Sequence, residues 1–196
     1  MSQAVLSEQE KVKSLELRGQ WTKTTVGDCA EILDRKRVPL NRKERDARIA
    51  GKDQSELYPY FGATGKVGMI DDYIFDHEIL LLGEDGAPFY DPTKEKAYLV
   101  REKSWVNNHA HVLVAHENLT TNKFLKHYLN QFDYHGYVTG TTRLKLNQGA
   151  LKTIPINLPP LPEQRRIVVR IEALFARLDA AVAALKKAKP PPSKLP

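Results

Sequence analysis

The chain has 196 residues, 41% hydrophobic and 28% charged, a composition that excludes wholesale disorder and suits one domain with or without an appendage. Its one cysteine, Cys29, excludes a disulfide framework and a cysteine-rich zinc site, and no apolar run is long enough to span a bilayer. The formal net charge of +6 favours a polyanionic partner.

Residues 1–20 form a polar lead-in with one loose helix expected around Glu8–Leu17. They contain no basic segment followed by an apolar run, so the expected setting is the reducing cytoplasm, with no membrane partner. Trp21 to Thr25 alternates and is β-branched, which predicts a short strand. Val26, Ala30 and Leu33 recur at helical spacing, with Thr24 or Thr25 as the cap. Arg35 to Lys52 contains Pro39 and Gly51 and shows no clean period, so it reads mostly as loop. From Leu57 to Val114, runs rich in Val, Ile, Tyr and Phe alternate with turn signals. They predict strands at Tyr58–Phe61, Val67–Ile70, Tyr73–Phe75, Glu78–Leu82, Ala97–Val100 and Val106–Ala115. Asn122 to Phe132 reads as a helix, Thr142–Leu146 as a strand and Gln148–Lys152 as a helical turn.

The text then changes. Leu158-Pro159-Pro160-Leu161-Pro162 is a stiff, extended hinge, and Pro162 suits the first helical position. Glu163 to Ala188 lacks proline and glycine. Ile167, Ile171, Leu174, Leu178, Ala181 and Leu185 form a heptad-like seam, which Val168, Phe175 and Val182 widen. Such a helix is ~39 Å long at about 1.5 Å per residue, too long for a domain of this size to cover, so part of its stripe needs a partner. The whole reads as α+β: a mixed, mostly β globular domain over residues 1–157, a hinge and coiled-coil-like helix over 158–189, and a loose tail over 190–196.

Charge is segregated. Arg35, Lys36, Arg37, Arg42, Lys43, Arg45, Arg48 and Lys52 face only Glu44 and Asp46 within their stretch, whereas Asp71 to Glu95 is acidic. Concentrated arginine suits phosphate and guanine edges, and an acidic face would turn away from a polyanion. Gly62-Ala63-Thr64-Gly65-Lys66 lacks the spacing of a nucleotide-binding loop and reads as a glycine-rich turn that carries Lys66 toward a phosphate. On one strand, Asn107, His109, His111 and Leu113 would share a face. Two histidines there are either a metal pair, as in a nuclease, or ordinary hydrogen-bonding residues. No dinucleotide, methyl-donor, nucleophile-elbow or zinc-protease fingerprint occurs, so no cofactor and no metal are expected.

Four passages carry a family resemblance. They are Gly19-Gln20-Trp21 with Val26-Gly27-Asp28; Tyr60 through Gly68 with Ile70-Asp71-Asp72-Tyr73 and Leu82-Gly83-Glu84-Asp85-Gly86; Trp105 through Leu113; and Ile154-Pro155-Ile156 through Ile167 with Ile171 to Asp179. Together they resemble the specificity subunits of type I restriction–modification systems, in a single target recognition domain followed by one conserved spacer helix. The resemblance implies a non-catalytic subunit that reads double-stranded DNA while its helix docks the methyltransferase (modification) subunits, with restriction subunits joining through that core. Family members usually carry two recognition domains and two helices, so this chain reads as a natural half-subunit, a truncated product or a fragment. A half-subunit that paired through its helix would read a symmetric bipartite site.

The expected DNA contacts are Arg35, Lys36, Arg37, Arg42, Lys43, Arg45, Arg48, Lys52, Lys66, Lys103, Arg143 and Lys145 for phosphates, with some arginines joining Asn107, Asn108, Thr141 and Thr142 at base edges; Tyr60 and His109 complete the set. The expected protein interface is Ile167, Ile171, Leu174, Phe175, Leu178, Ala181, Val182 and Leu185. The competing readings are a metal-dependent nuclease built on His109 and His111, and a helical adaptor with no DNA role.

Overall fold

The computed structural model describes residues 21–188, so the helix expected around Glu8–Leu17 and the tail over 190–196 lie outside the described residues. Strand β1 (Thr22–Thr25) leads into a single helical turn, α1 (Val26–Cys29), and then β2 (Ala30–Ile32). The helix expected to continue to Leu33 stops at Cys29, because Ala30 to Ile32 pairs with Ala115 to Leu113 and takes extended backbone. Thr25 is the N-cap without capping through its side chain, whose hydroxyl donates to Asp28 Oδ2 at 2.6 Å.

The basic stretch is not mostly loop. Arg42–Ile49 forms helix α2, closed at its start by a reciprocal capping box: Asn41 Oδ1 accepts the Glu44 N–H at 2.9 Å, and Glu44 Oε2 accepts the Asn41 N–H at 2.8 Å. Strands β3 (Tyr58–Gly62) and β4 (Gly65–Ile70) make a hairpin with Ala63-Thr64 at its tip. Then come β5 (Ile79–Gly83), β6 (Ala97–Val100), β7 (Trp105–Val106), β8 (Ala110–Ala115), α3 (Asn122–Gln131), β9 (Val138–Thr139), β10 (Lys145–Leu146), α4 (Gln148–Thr153), β11 (Pro155–Leu158) and α5 (Leu161–Ala188). Tyr73–Phe75 makes only an isolated bridge, Phe75 to Ser104, in place of the expected strand.

Two sheets set the architecture. One is antiparallel in the order β2-β8-β5-β6; the other has the order β4-β3-β7, with β3 and β7 parallel. The run expected as one strand over Val106–Ala115 is broken because β7 and β8 belong to different sheets, and Asn107 to His109 makes the crossing. Strand β5 lies between the layers. Leu80 and Leu82 join the core under the helices, Ile79 and Leu81 fill the space between the sheets, and all four are fully buried. Helix α3 docks on the edge of β6 through buried Asn130, whose amide accepts from Lys96 and Ala97 N–H and donates to Ala97 O.

Strands β1 and β11 pair antiparallel, Thr22 opposite Leu158. Helix α5 starts there, with Pro162 in its first turn. Its root is pinned by fully buried Gln164, which accepts from Thr120 Oγ1 at 2.8 Å and donates to Leu119 O and Pro159 O. Ile167 and Val168 pack on the domain core. Lys123–Glu172 and the His127–Phe175 ring contact extend the seam a little further. Beyond it Leu174, Leu178 and Leu185 are each more than half exposed. The mixed α+β class with a long C-terminal helix is as the sequence predicts.

Candidate nucleic-acid interface

Four chain reversals meet at one end of the two sheets: the β3–β4 tip, the stretch from Gly83 to Gly86, the crossing at Asn107–His109, and the loop between β9 and β10. Backbone hydrogen bonds join them edge to edge. Asn107 N–H donates to Phe61 O at 3.0 Å, Glu84 N–H to His109 O at 2.8 Å, Gly86 N–H to Leu144 O at 2.9 Å and Leu146 N–H to Glu84 O at 2.8 Å. At Gly83 a Cβ would fall 2.3 Å from the Ala87 Cβ and 3.0 Å from Ala63 O, so only glycine lets the hairpin approach this closely. The Tyr98 hydroxyl donates to Gly62 O at 2.5 Å from inside the fold, and burial pushes its phenol well above the ordinary tyrosine range.

This end carries Asn108, Thr141, Thr142, Arg143 and Lys145, all exposed, and half-exposed His109. Arg143 is steered by Asp85 at 2.6 Å and Lys145 by Glu84 at 3.4 Å. Asn107 is nearly buried: its Oδ1 accepts the His109 N–H at 2.8 Å, so it shapes the turn and Asn108 is its exposed neighbour. Helix α2 lies against β4 beside the hairpin. Arg45 crosses Gly68, its guanidinium carbon 4.6 Å from the Tyr60 ring centroid. Among the described residues Arg35, Lys36, Lys43, Lys66 and Lys103 are exposed with no acidic partner, and Arg42 meets Asp46 only at 3.6 Å with both side chains largely exposed. Lys103 sits 4.5 Å over the Tyr73 ring.

Several expected contacts are placed differently. Tyr60 is buried with its hydroxyl bonded to Leu40 backbone, so its ring supports Arg45 from below and has no face for a base. Arg37 turns inward, its Nη1 donating to Glu84 at 2.7 Å and to Ala110 O at 2.6 Å. Arg48 and Lys52 both hold Asp71, at 2.6 and 2.7 Å, and the Lys52 and Arg48 contacts keep that carboxyl below its ordinary range. Within the acidic stretch Asp71, Glu78, Glu84, Asp85, Asp91 and Glu95 each pair with a basic side chain.

The two histidines do not form a metal pair on a shared strand face. His109 lies in the turn, 3.4 Å from Asp85, and His111 is fully buried. Asp34, Glu84 and His111 do bring possible ligand atoms within 4.8 Å of one another. However, His111 Nδ1 is 2.6 Å from Asp34 Oδ2, its Nε2 is 2.8 Å from Leu146 O, and Arg37 bridges the two carboxylates. The Leu146 carbonyl takes Nε2 and Arg37 spans the two carboxylates, so the cluster is built as a hydrogen-bonded ion network. Sequence reasoning missed Asp34, Glu84, Tyr98 and Gln148 as supports of this surface. Only the position of Asp34, immediately before the basic run, was a signal.

Residues 19–187 match the family described as the type I restriction modification DNA specificity domain. The chain belongs to this type I specificity family. A Haemophilus influenzae protein assigned as a type I restriction enzyme specificity subunit is 32% identical over 151 residues, covering 77% of this chain and 36% of that protein. The EcoDI specificity subunit of Escherichia coli is 57% identical over a 35-residue stretch, 18% of this chain and 8% of its own. Among solved structures, the type I restriction–modification S subunit of M. genitalium superposes with a TM-score of 0.60 at 19% identity, covering 85% of this chain and 42% of its own. The HsdS subunit of Thermoanaerobacter tengcongensis gives 0.55 at 17% identity, covering 94% and 46%. The fold is thus that of the specificity family, and the chain spans less than half the length of each of these relatives. No helix among the described residues is long and apolar enough to cross a membrane.

Proposed function

We propose that this chain is a non-catalytic, cytoplasmic specificity component that reads one half of a bipartite DNA target. In this reading the platform of four reversals faces double-stranded DNA. Arg35, Lys36, Arg42, Lys43 and Lys66 neutralise phosphates, while Asn108, Thr141, Thr142 and Arg143 approach base edges; Lys103, over Tyr73 at the opposite end of β3 and β6, stands apart from them. The observation that carries it is the joining of those reversals into one surface on which hydrogen-bonding side chains stand exposed beside cations with no acidic partner. Arg143 and Lys145 keep their carboxylate partners and enter as oriented donors. Residues 1–157 act as the recognition domain, and the hinge and helix over 158–189 as the docking element. Its exposed stripe from Leu174 to Leu185 engages methyltransferase subunits, restriction subunits join through that core, and a second copy of the chain supplies the other half-site.

The test is binding to duplex DNA as salt is varied, followed by site selection. Arg42→Ala and Lys43→Ala weaken all sequences alike and each lower the salt slope by about 1, whereas Thr142→Ala loses discrimination at one position. Affinity that does not change between roughly 50 and 200 mM salt overturns the reading.

A further inference from the structure

The Asp34–His111 pair belongs to no contact proposed above, yet it joins the segment after β2 to the loop between β9 and β10. His111, on β8, is fully buried and sits between two oxygens, Asp34 Oδ2 at 2.6 Å and Leu146 O at 2.8 Å. A carbonyl only accepts, so Nε2 carries a proton. The Asp34 carboxyl meets donors on both oxygens: Val112 N–H at 3.0 Å on Oδ1, and Gln148 Nε2 at 3.0 Å on Oδ2 together with Arg37 Nη2 at 3.5 Å. Three donors converging on the carboxyl favour its ionised form, in which His111 Nδ1 carries the second proton.

The charges agree. Asp34 and Glu84 are two nearly buried carboxylates, and Arg37 supplies one cation to both. Glu84 Oε2 also lies 3.7 Å from His111 Nδ1, and Lys145 reaches Glu84 only from the rim, at 3.4 Å. A charged imidazole places a cation between the two carboxylates, with Lys145 completing Glu84 from the rim. Leu146 ends β10, which follows directly on the loop that carries Thr141, Thr142 and Arg143, and Gln148 opens the helix that follows. Both sides of Asn147 are therefore hung from one ion pair.

We infer that His111 is a positioning residue that acts as a double donor: it latches the loop between β9 and β10 to Asp34 and so sets where the loop's side chains meet DNA. This rests on the reading that the loop contacts DNA.

The test compares His111→Asn with His111→Gln in the full chain. An Asn amide falls near Nδ1 and keeps the Asp34 contact, whereas a Gln amide reaches the place of Nε2 and keeps the Leu146 contact. Hydrogen exchange is followed at the amides of Gly86 and Leu146, alongside discrimination in site selection. Each variant keeps one of the two bonds, so in both exchange speeds up by about tenfold and discrimination falls at the positions that Thr142→Ala affects. Wild-type exchange in either variant overturns the double-donor latch. Faster exchange in both, with Thr142→Ala and Arg143→Ala leaving discrimination unchanged, upholds the latch and overturns the DNA reading of the loop. The nitrogen-15 spectrum of the wild-type ring guards against variants that fail to fold: protons on both nitrogens are the expected result, and a lone pair on either overturns the assignment.

Discussion

Strand β5 and the outer half of α5 are both rich in leucine, yet they end in opposite surroundings. Ile79 to Leu82 have no exposed surface, with neighbours on both faces of the sheet. Leu174, Phe175 and Leu178 are each more than half exposed on a helix that has left its domain. A continuous run marks a strand sandwiched between layers, and an apolar residue at alternating steps of three and four marks a seam that another surface completes. The domain is finished within itself, and the helix is not.

Three substitutions sharpen or break that contrast. Leu113→Ala, in β8 beside β5, should cost about 2–5 kcal/mol in denaturant unfolding, and a loss below about 1 kcal/mol would mean the sheet is not the stabilising core. Asp34→Asn should cost less, about 1–3 kcal/mol at neutral pH. Burial alone would raise the Asp34 pKa, but the His111 hydrogen bond and charge, the Val112 N–H and Arg37 outweigh it and hold the carboxyl below its ordinary value. Its contribution is therefore fully present above the unfolded value of about 4 and disappears as pH falls through the folded one. Stability curves of wild type and Asp34→Asn should converge in acid. The smallest effect on unfolding is expected at Leu178→Ala, below about 0.5 kcal/mol for the dilute chain. The same change should weaken association in sedimentation, and a wild-type chain that stays monomeric across micromolar concentrations removes the second-copy partner.

Much of the fold was legible where a local pattern decided it. Ala97–Val100 falls where the sequence predicts, α3 ends one residue early at Gln131, and α5 follows from its proline-free stripe. The misses are non-local. Strand β11 opens on Pro155 and is a strand only because Thr22 to Thr25 lies beside it. Asn107 to His109 turns because two sheets need a crossing. Helix α2 is the exception, since Asn41 and Glu44 stood at capping-box spacing between Pro39 and Gly51 and outweigh the breakers. At the candidate site, the basic segment was visible and the partners of its members were not. Arg48 and Lys52 look free in sequence because Asp71 lies about twenty residues away. Tyr60 could not be told from Tyr58 by alternation, since both share a face of β3, yet Tyr60 alone is fully enclosed.

The pairing of β1 with β11 has a topological consequence. Chain enters at Thr22 and leaves at Leu158 through adjacent strands, a paired stalk that, with the α5 root packed beside Leu119 and Thr120, carries everything between them. A unit attached in this way can be exchanged for another, or repeated further along a polypeptide, while the segments on either side keep their spacing. What lies beyond the stalk, including the reach of α5, is then free to stay constant while the surface at the far end of the sheets changes.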